Sequence, residues 1–191
     1  TLFTAFLFVQ PKREAGATVI DHKGVIKVYL IAGQSNAVGY GEDTGGVLAA
    51  DSRYINGFDN VLYYDNNEHY GTDLGGNFQP VRLGMGKDAN SSGAEIGMAY
   101  ALADNGEMNA VIKCAWGATH LFPDIVYSIS YQQGTWTSPT YIKNHNVDLS
   151  VNPKIGAMYT RFMQTVKEGL AKLIQQGYEP VIEGLWWMQG E

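Results

Sequence analysis

The chain has 191 residues, one cysteine and a formal charge of −6, from 13 basic and 19 acidic side chains. That length suits one domain with a sizeable core, and a single cysteine excludes a disulfide-stapled miniprotein. With 45% hydrophobic and 17% charged residues the chain is too apolar for disorder, and its acidic balance argues against a nucleic-acid-binding surface. Cys114 lies in an apolar run and reads as a buried packing thiol. Glycine is abundant, at 23 residues, and 12 tyrosines and 4 tryptophans accompany it, the composition of a loop-rich protein with aromatic surfaces that serve either as core or as sugar platforms.

In chain order, Leu2 to Val9 is apolar but far short of the ~20 residues that span a bilayer. Ala15-Gly16-Ala17 follows, so residues 1–24 read either as the remnant of a clipped secretory signal or as an ordinary N-terminal strand. Val25 to Ile31 is a nearly continuous β-branched run, as expected of a strand buried on both faces of a parallel sheet, and it breaks at Gly33. A short strand is expected at Val61 to Tyr64. Ser92-x-x-Glu95 reads as a capping box opening a helix that runs to about Ala103 and stops at Asn105-Gly106. Ala110 to Cys114 is the next strand. Residues 117–152 read as long loops, and loops of that length in a compact domain tend to be functional. Asn152-Pro153 reads as the N-cap and first turn of a helix whose apolar face is Ile155, Met158, Tyr159, Phe162, Met163, Val166, Leu170, Leu173 and Ile174. Gly177 and Pro180 end it, and Val181 to Met188 is the last strand. Strands alternating with helices long enough to cross between them predict a three-layer α/β sandwich over residues 25–191.

In open α/β sheets, ligands bind outside the carboxyl ends of the strands. The first strand is followed by Gly33-Gln34-Ser35-Asn36-Ala37, where a serine on a tight turn at a helix start is exposed and near backbone N–H groups. After the third comes Trp116-Gly117-Ala118-Thr119-His120, whose glycine can bring its N–H close to a ligand. The last leads into Gln189-Gly190-Glu191, an amide donor and a carboxylate. A nucleophile and two donors after three different strands have the layout of an oxyanion hole around a serine. Each also has a bland role: a serine N-cap, a turn glycine, a polar strand end.

Gly33-Gln34-Ser35-Asn36, Gly117-Ala118-Thr119 and Trp187-x-Gln189-Gly190-Glu191 resemble the successive blocks of the SGNH hydrolase superfamily. They resemble in particular the branch of the carbohydrate esterase family six acetylxylan esterases and the sialate O-acetylesterase domain. Gly93-Ala94-Glu95-Ile96-Gly97, ahead of Ile112-Lys113-Cys114-Ala115-Trp116-Gly117, also resembles that branch. The resemblance spans roughly residues 25–191. It implies a parallel, flavodoxin-like sheet in an α/β/α sandwich, and hydrolysis of O-acetyl esters on carbohydrate without a cofactor. Ser35 would be the nucleophile, with its own N–H, the Gly117 N–H and the Gln189 side-chain amide holding the oxyanion. Loss of one such donor costs ~3–4 kcal/mol of transition-state stabilisation. Gln34 and Asn36 would support the nucleophile turn, and Glu191 would support its loop.

Two departures accompany the resemblance. Ala118 stands where relatives often carry a second glycine. The family's late Asp-x-x-His base is absent: Val19, Asn66, Gly117 and Ile142 stand three residues before His22, His69, His120 and His145. Without a base a serine hydroxyl is a poor nucleophile at neutral pH. The expectation is therefore that the C-terminal part of the domain, with its aspartate and histidine, lies beyond Glu191. His120 is the local substitute candidate, otherwise a substrate-loop or surface histidine.

Among the aromatics, Trp136 is the leading candidate for a sugar contact, ahead of Trp116, Tyr131 and Tyr141, while at least one of Trp186 and Trp187 should be core. Asp124 reads as a turn residue. Gly41, Gly45 and Gly46 form a glycine-rich loop without the lysine and hydroxyl of a phosphate cradle. No cluster has metal-ligand spacing. The expected partner is an acetylated carbohydrate, with no nucleic acid and no membrane span; the location is secreted or extracytoplasmic, and the oligomeric state is left open. The rival from another class is a non-catalytic carbohydrate-binding domain, or an inactive fragment, of the same fold.

Overall fold

The computed structural model describes residues 22–42, 51–66, 76–123 and 133–190. The expectations for Ala15-Gly16-Ala17, Gly45, Gly46, His69, Asp124, Tyr131 and Glu191 fall outside those residues.

Seven strands are described: β1 (Gly24–Gly33), β2 (Gly41–Glu42), β3 (Phe58–Asp65), β4 (Gln79–Val81), β5 (Ser91–Ser92), β6 (Asn109–Ala115) and β7 (Tyr178–Met188). Five form the main sheet, in the order β4-β3-β6-β1-β7, and β2 pairs with β5 in a small antiparallel ribbon. β3, β6, β1 and β7 run parallel, while β4 is antiparallel on β3. All seven residues of β6 are buried, which suits its place between β1 and β3. From β1 the chain first fills one side of that strand, with β3 and β6, and only then crosses to the other side to lay down β7.

The helices are α1 (Ser35–Val38), α2 (Arg53–Asn56), α3 (Ala94–Ala103), α4 (Pro139–Asn144) and α5 (Ala157–Gln175). α3 sets Ile96 and Ala99 against Val61, Tyr63 and Val111 on one face of the sheet. α5 sets Val166 and Leu173 against Val28, Leu30, Tyr64 and Ile112 on the other. Odd and even strand positions thus feed opposite cores, as the two-residue period requires. Gly169 lets α5 lie close to β6: an added Cβ there would be 2.6 Å from Ile112 Cδ1.

Local chemistry corrects three boundaries and the width of one helix face. Ser92 is not the cap of α3. It lies in β5 and its Oγ accepts from Gly84 N at 3.1 Å, while Gly93 takes the N-cap position. Glu95 still reaches back, its Oε1 accepting from Gly93 N at 2.6 Å. The stretch 117–152 is not loop throughout: α4 forms inside it, because Ser138 accepts from Tyr141 N at 3.2 Å and Pro139 is preset for a first turn. Asn152-Pro153 does not start α5. Asn152 closes a separate turn by accepting from Lys154 N at 2.9 Å, and the helix begins after Gly156, whose φ of 80° is left-handed. Its apolar face is also narrower than the spacing predicts. Ile155 is buried ahead of the helix, Met163 and Ile174 are exposed, and Thr165 and Gly169 take buried positions.

β7 starts at Tyr178, earlier than expected, and within the described sheet it pairs only with β1. It carries exposed apolar side chains on both faces, among them Leu185 at 53% on one and Met188 at 39% on the other. Trp186 is the partner that packs against the core. No helix among the described residues is long and apolar enough to cross a membrane.

Candidate active site

Three strand ends arrive together. Gly33 pairs in register with Ala115 on one side and Met188 on the other, so the segments after β1, β6 and β7 leave the sheet side by side. Two backbone bonds hold them there: Trp116 N donates to Gly33 O, and Gln34 N to Met188 O, both at 3.0 Å. Gly33 has φ of 141°, and this approach leaves no room for a side chain at that position.

Ser35 opens α1 and is half-buried, and Asn36 beside it is exposed. Gln34 is the N-cap of α1. Its side-chain Oε1 accepts from Ser35 N at 2.6 Å and also from Ser35 Oγ. The Ser35 N–H, expected to face an oxyanion, is therefore engaged by Gln34, and a substrate oxygen would have to displace that amide. Asn36 lines a groove of about 470 Å³ with Tyr40, Gly93, Trp186 and Met188.

Gln189 reaches across from β7 to the loop after β6, its Nε2 donating to Thr119 O at 2.7 Å, while its Oε1 accepts from Gly190 N at 2.7 Å. Gly117 is buried two residues before Thr119. The last-strand and third-strand motifs are thus physically joined. Thr119, which sequence reasoning passed over, organises this side of the site. Its hydroxyl donates to Trp116 O at 2.7 Å and accepts from Trp136 Nε1 at 2.8 Å. The only signal for it was its place in Gly117-Ala118-Thr119.

Ala118 has φ of 53°, a left-handed conformation that glycine adopts freely and alanine does not. The turn at this position is therefore one that favours glycine.

None of the described histidines completes the site. Ser35 Oγ is bonded to Gln34, and no hydrogen bond among the described residues joins it to His22, His120 or His145. His120 carries a buried Nδ1 without a hydrogen-bond partner among the described residues, and its carbonyl accepts from Trp136 N at 2.9 Å. His145 stacks on Tyr141 with centroids 3.9 Å apart.

Trp136 is corrected as a sugar contact. It is 5% exposed, its indole N–H is committed to Thr119, and Trp187 meets it edge-on at 4.9 Å. Packing against Phe162 and the strand ends turns this aromatic into core. Trp116 is likewise buried, with the Arg161 guanidinium 5.0 Å from its ring centroid. Below it Cys114 is buried, and burial pushes its thiol pKa up to about 12, opposite to what a reactive thiolate needs. No group of three metal-ligating side chains gathers among the described residues.

The described residues form an α/β protein whose mostly parallel sheet presents a serine turn, a glycine turn and a glutamine at one edge. No family model matches the chain, and no curated protein does. A solved X-ray structure of a protein from Arabidopsis thaliana is similar to it, at 15% identity and a TM-score of 0.47, over 86% of this chain and 57% of that one. This chain thus spans little more than half the length of that protein.

Proposed function

We propose that the chain is the nucleophile-bearing part of a serine esterase of the SGNH superfamily, in the branch of carbohydrate esterase family six and the sialate O-acetylesterase domain. It removes O-acetyl groups from carbohydrate, outside the cytoplasm, through an acyl-enzyme on Ser35. The observation that carries this is the convergence of Ser35, Gly117 and Gln189 at the ends of three strands in mutual register, with Gln189 bonded to the Gly117 loop. The trio β6-β1-β7, with the first strand central, supports a flavodoxin-like sheet in which β3 and β4 are an outward extension.

In this reading Ser35 Oγ adds to the acetyl carbonyl as the Gln34 amide swings aside and frees the Ser35 N–H. That N–H, the Gly117 N–H and the Gln189 Nε2 then share the developing negative charge. The alcohol of the sugar leaves with a proton, and water releases acetate from Ser35. The reading needs a base for the Ser35 proton, the role the resemblance gives to an Asp-x-x-His, and none of the four histidines of residues 1–191 stands in that motif. Ser35→Ala in the full-length protein abolishes acetyl-ester hydrolysis and leaves the fold intact; retained turnover refutes the assignment.

One observation favours the second reading, a non-catalytic carbohydrate-binding domain: Ser35 Oγ is held by an amide and, among the described residues, by no histidine. The two separate on the coding sequence beyond Glu191, where an Asp-x-x-His supports the enzyme and a stop codon supports the binding domain. An acetyl-ester assay on residues 1–191 adds a direct check, with His120 the residue to substitute if turnover is seen.

A further inference from the structure

A buried ion pair lies beneath the serine turn, in a part of the sheet that also holds the buried Asp65 carboxylate and the Tyr63 hydroxyl bonded to it. Lys113 stands in β6 between Ile31 of β1 and Asp65 of β3, and it is 4% exposed. Each of its three donors has a partner at 2.9 Å: Glu95 Oε2, Val38 O and Met85 O. Glu95, fully buried at the start of α3, uses its other oxygen to hold Gly93 N. A buried ammonium bonded to two main-chain carbonyls and one carboxylate has no donor left over.

What these partners have in common is the serine turn. Val38 is the last residue of α1, which Ser35 opens, and a cation at a helix carboxyl end complements the dipole and the unpaired carbonyls there. Met85 lies in the loop whose Lys87 N donates to Gly39 O at 2.8 Å, directly after α1. Gly93 lies against Gly39 with no side chain between them: a Cβ on Gly39 would be 2.6 Å from Gly93 N. Three backbone segments therefore meet at one point, where the Lys113 ammonium and the Glu95 carboxylate bond to all three, beside the backbone bond from Lys87 N to Gly39 O. A methionine in place of Lys113 would fill the space and leave the Val38 and Met85 carbonyls without this donor.

We propose that Lys113 and Glu95 are positioning residues for Ser35, the ammonium tying the carboxyl end of α1 to the Met85 loop and to α3 so that the one-turn helix holds the serine at the sheet edge. Gln34 N fixes the front of that turn to β7, and Lys113 fixes its back. The proposal rests on Ser35 being the reacting group. A helix of four residues moves as a unit, so freedom at Val38 becomes misplacement at Ser35, and a displacement of ~1 Å is enough to cost on the order of 100-fold in rate.

The test uses Lys113→Met, Glu95→Gln and the double variant, each in the full-length protein, with three readouts: melting temperature, amide exchange of residues 35–39, and kcat and KM on an acetyl ester. Each single variant leaves a buried charge unpaired and lowers the melting temperature markedly. The double variant removes both charges and recovers most of that loss. Even so, its amides at Ala37, Val38 and Gly39 exchange at least ~10-fold faster than in the parent, in line with a locally opened turn. Its kcat falls ~10–100-fold with KM within about twofold. Recovery of melting temperature together with parental exchange and kcat overturns the proposal, because the pair then acts on stability alone. Should the double variant not fold, Glu95→Gln decides the matter, since it keeps the shape and the acceptor for Gly93; parental exchange at residues 35–39 in that variant overturns the proposal. If the parent itself hydrolyses no acetyl ester, the esterase reading fails while the exchange measurement still decides whether Lys113 holds the turn.

Discussion

Gly33→Ala probes the junction on which the site is built. The residue has φ of 141°, and its added Cβ would sit 2.7 Å from the Met188 carbonyl carbon, 3.1 Å from Met188 N and closer still to the carbonyl oxygen. Backbone atoms cannot rotate away as a side chain would, so β1 and β7 must part by on the order of 1 Å to restore ordinary van der Waals separation. That movement breaks the bond from Gln34 N to Met188 O and strains the neighbouring one from Trp116 N to Gly33 O, each 3.0 Å long. Two backbone bonds at ~1 kcal/mol each, with ~1–2 kcal/mol for forcing a side chain into this region of φ, give a loss of about 3–4 kcal/mol. Urea unfolding followed by far-UV circular dichroism measures it. Gly184→Ala is the control, because its Cβ would meet only Tyr29 Cδ1 at 3.8 Å, an ordinary contact, and its stability should change by less than ~0.5 kcal/mol. A loss below ~1 kcal/mol for Gly33→Ala, or equal losses at the two glycines, refutes the close meeting of the strand ends.

Ala118→Gly relieves a left-handed alanine, φ 53°, and should stabilise the protein by about 0.5–1 kcal/mol after the greater freedom of glycine in the unfolded chain is counted; a lower melting temperature contradicts it. The buried Cys114 thiol, pushed up to about 12 from its ordinary 9.0, keeps its proton at pH values where the unfolded chain has lost one. The unfolded state then binds fewer protons, so this group's contribution is fully present below pH 9 and declines by up to ~1.4 kcal/mol per unit as pH rises from 9 toward 12. Comparing the parent with Cys114→Ala under reducing conditions at pH 8 and pH 10.5 isolates it. The stability gap between the two should narrow by roughly 2 kcal/mol, and a constant gap refutes the burial argument.

Several features were legible in the chain because they depend on neighbours a few residues away. The β-branched run from Val25 to Ile31, the apolar stretch around Cys114 and the stop at Asn105-Gly106 all appear as strand, buried strand and helix end. Candidate site residues were legible for a related reason. A residue that follows a buried strand in a parallel sheet emerges at the carboxyl edge whatever the rest of the chain does. Caps were less legible. Ser92-x-x-Glu95 satisfies the local pattern of a capping box, yet pairing of β2 with β5 draws Ser92 into a strand and leaves the cap to Gly93. Ser138-Pro139 carried the signal of α4, overlooked inside a polar, aromatic stretch without helical period.

Tertiary structure decided the remainder. Trp136 looks like a free aromatic in a loop, but whether a ring faces solvent depends on what lies over it, and Thr119, Phe162 and Trp187 come from segments 17 to 51 residues away. Lys113 reads as an oddity in an apolar strand until Val38, Met85 and Glu95 arrive around it. Strand order has the same origin, since nothing local tells β7 to lie on the far side of β1 from β6. The sequence by itself determined the periods, the breaks and the residue types at the strand ends, because those follow from short-range sterics and side-chain chemistry. Which strand ends meet, which donors are already engaged and which charge sits under the serine turn followed from register and burial, quantities defined only once distant parts of the chain are packed together.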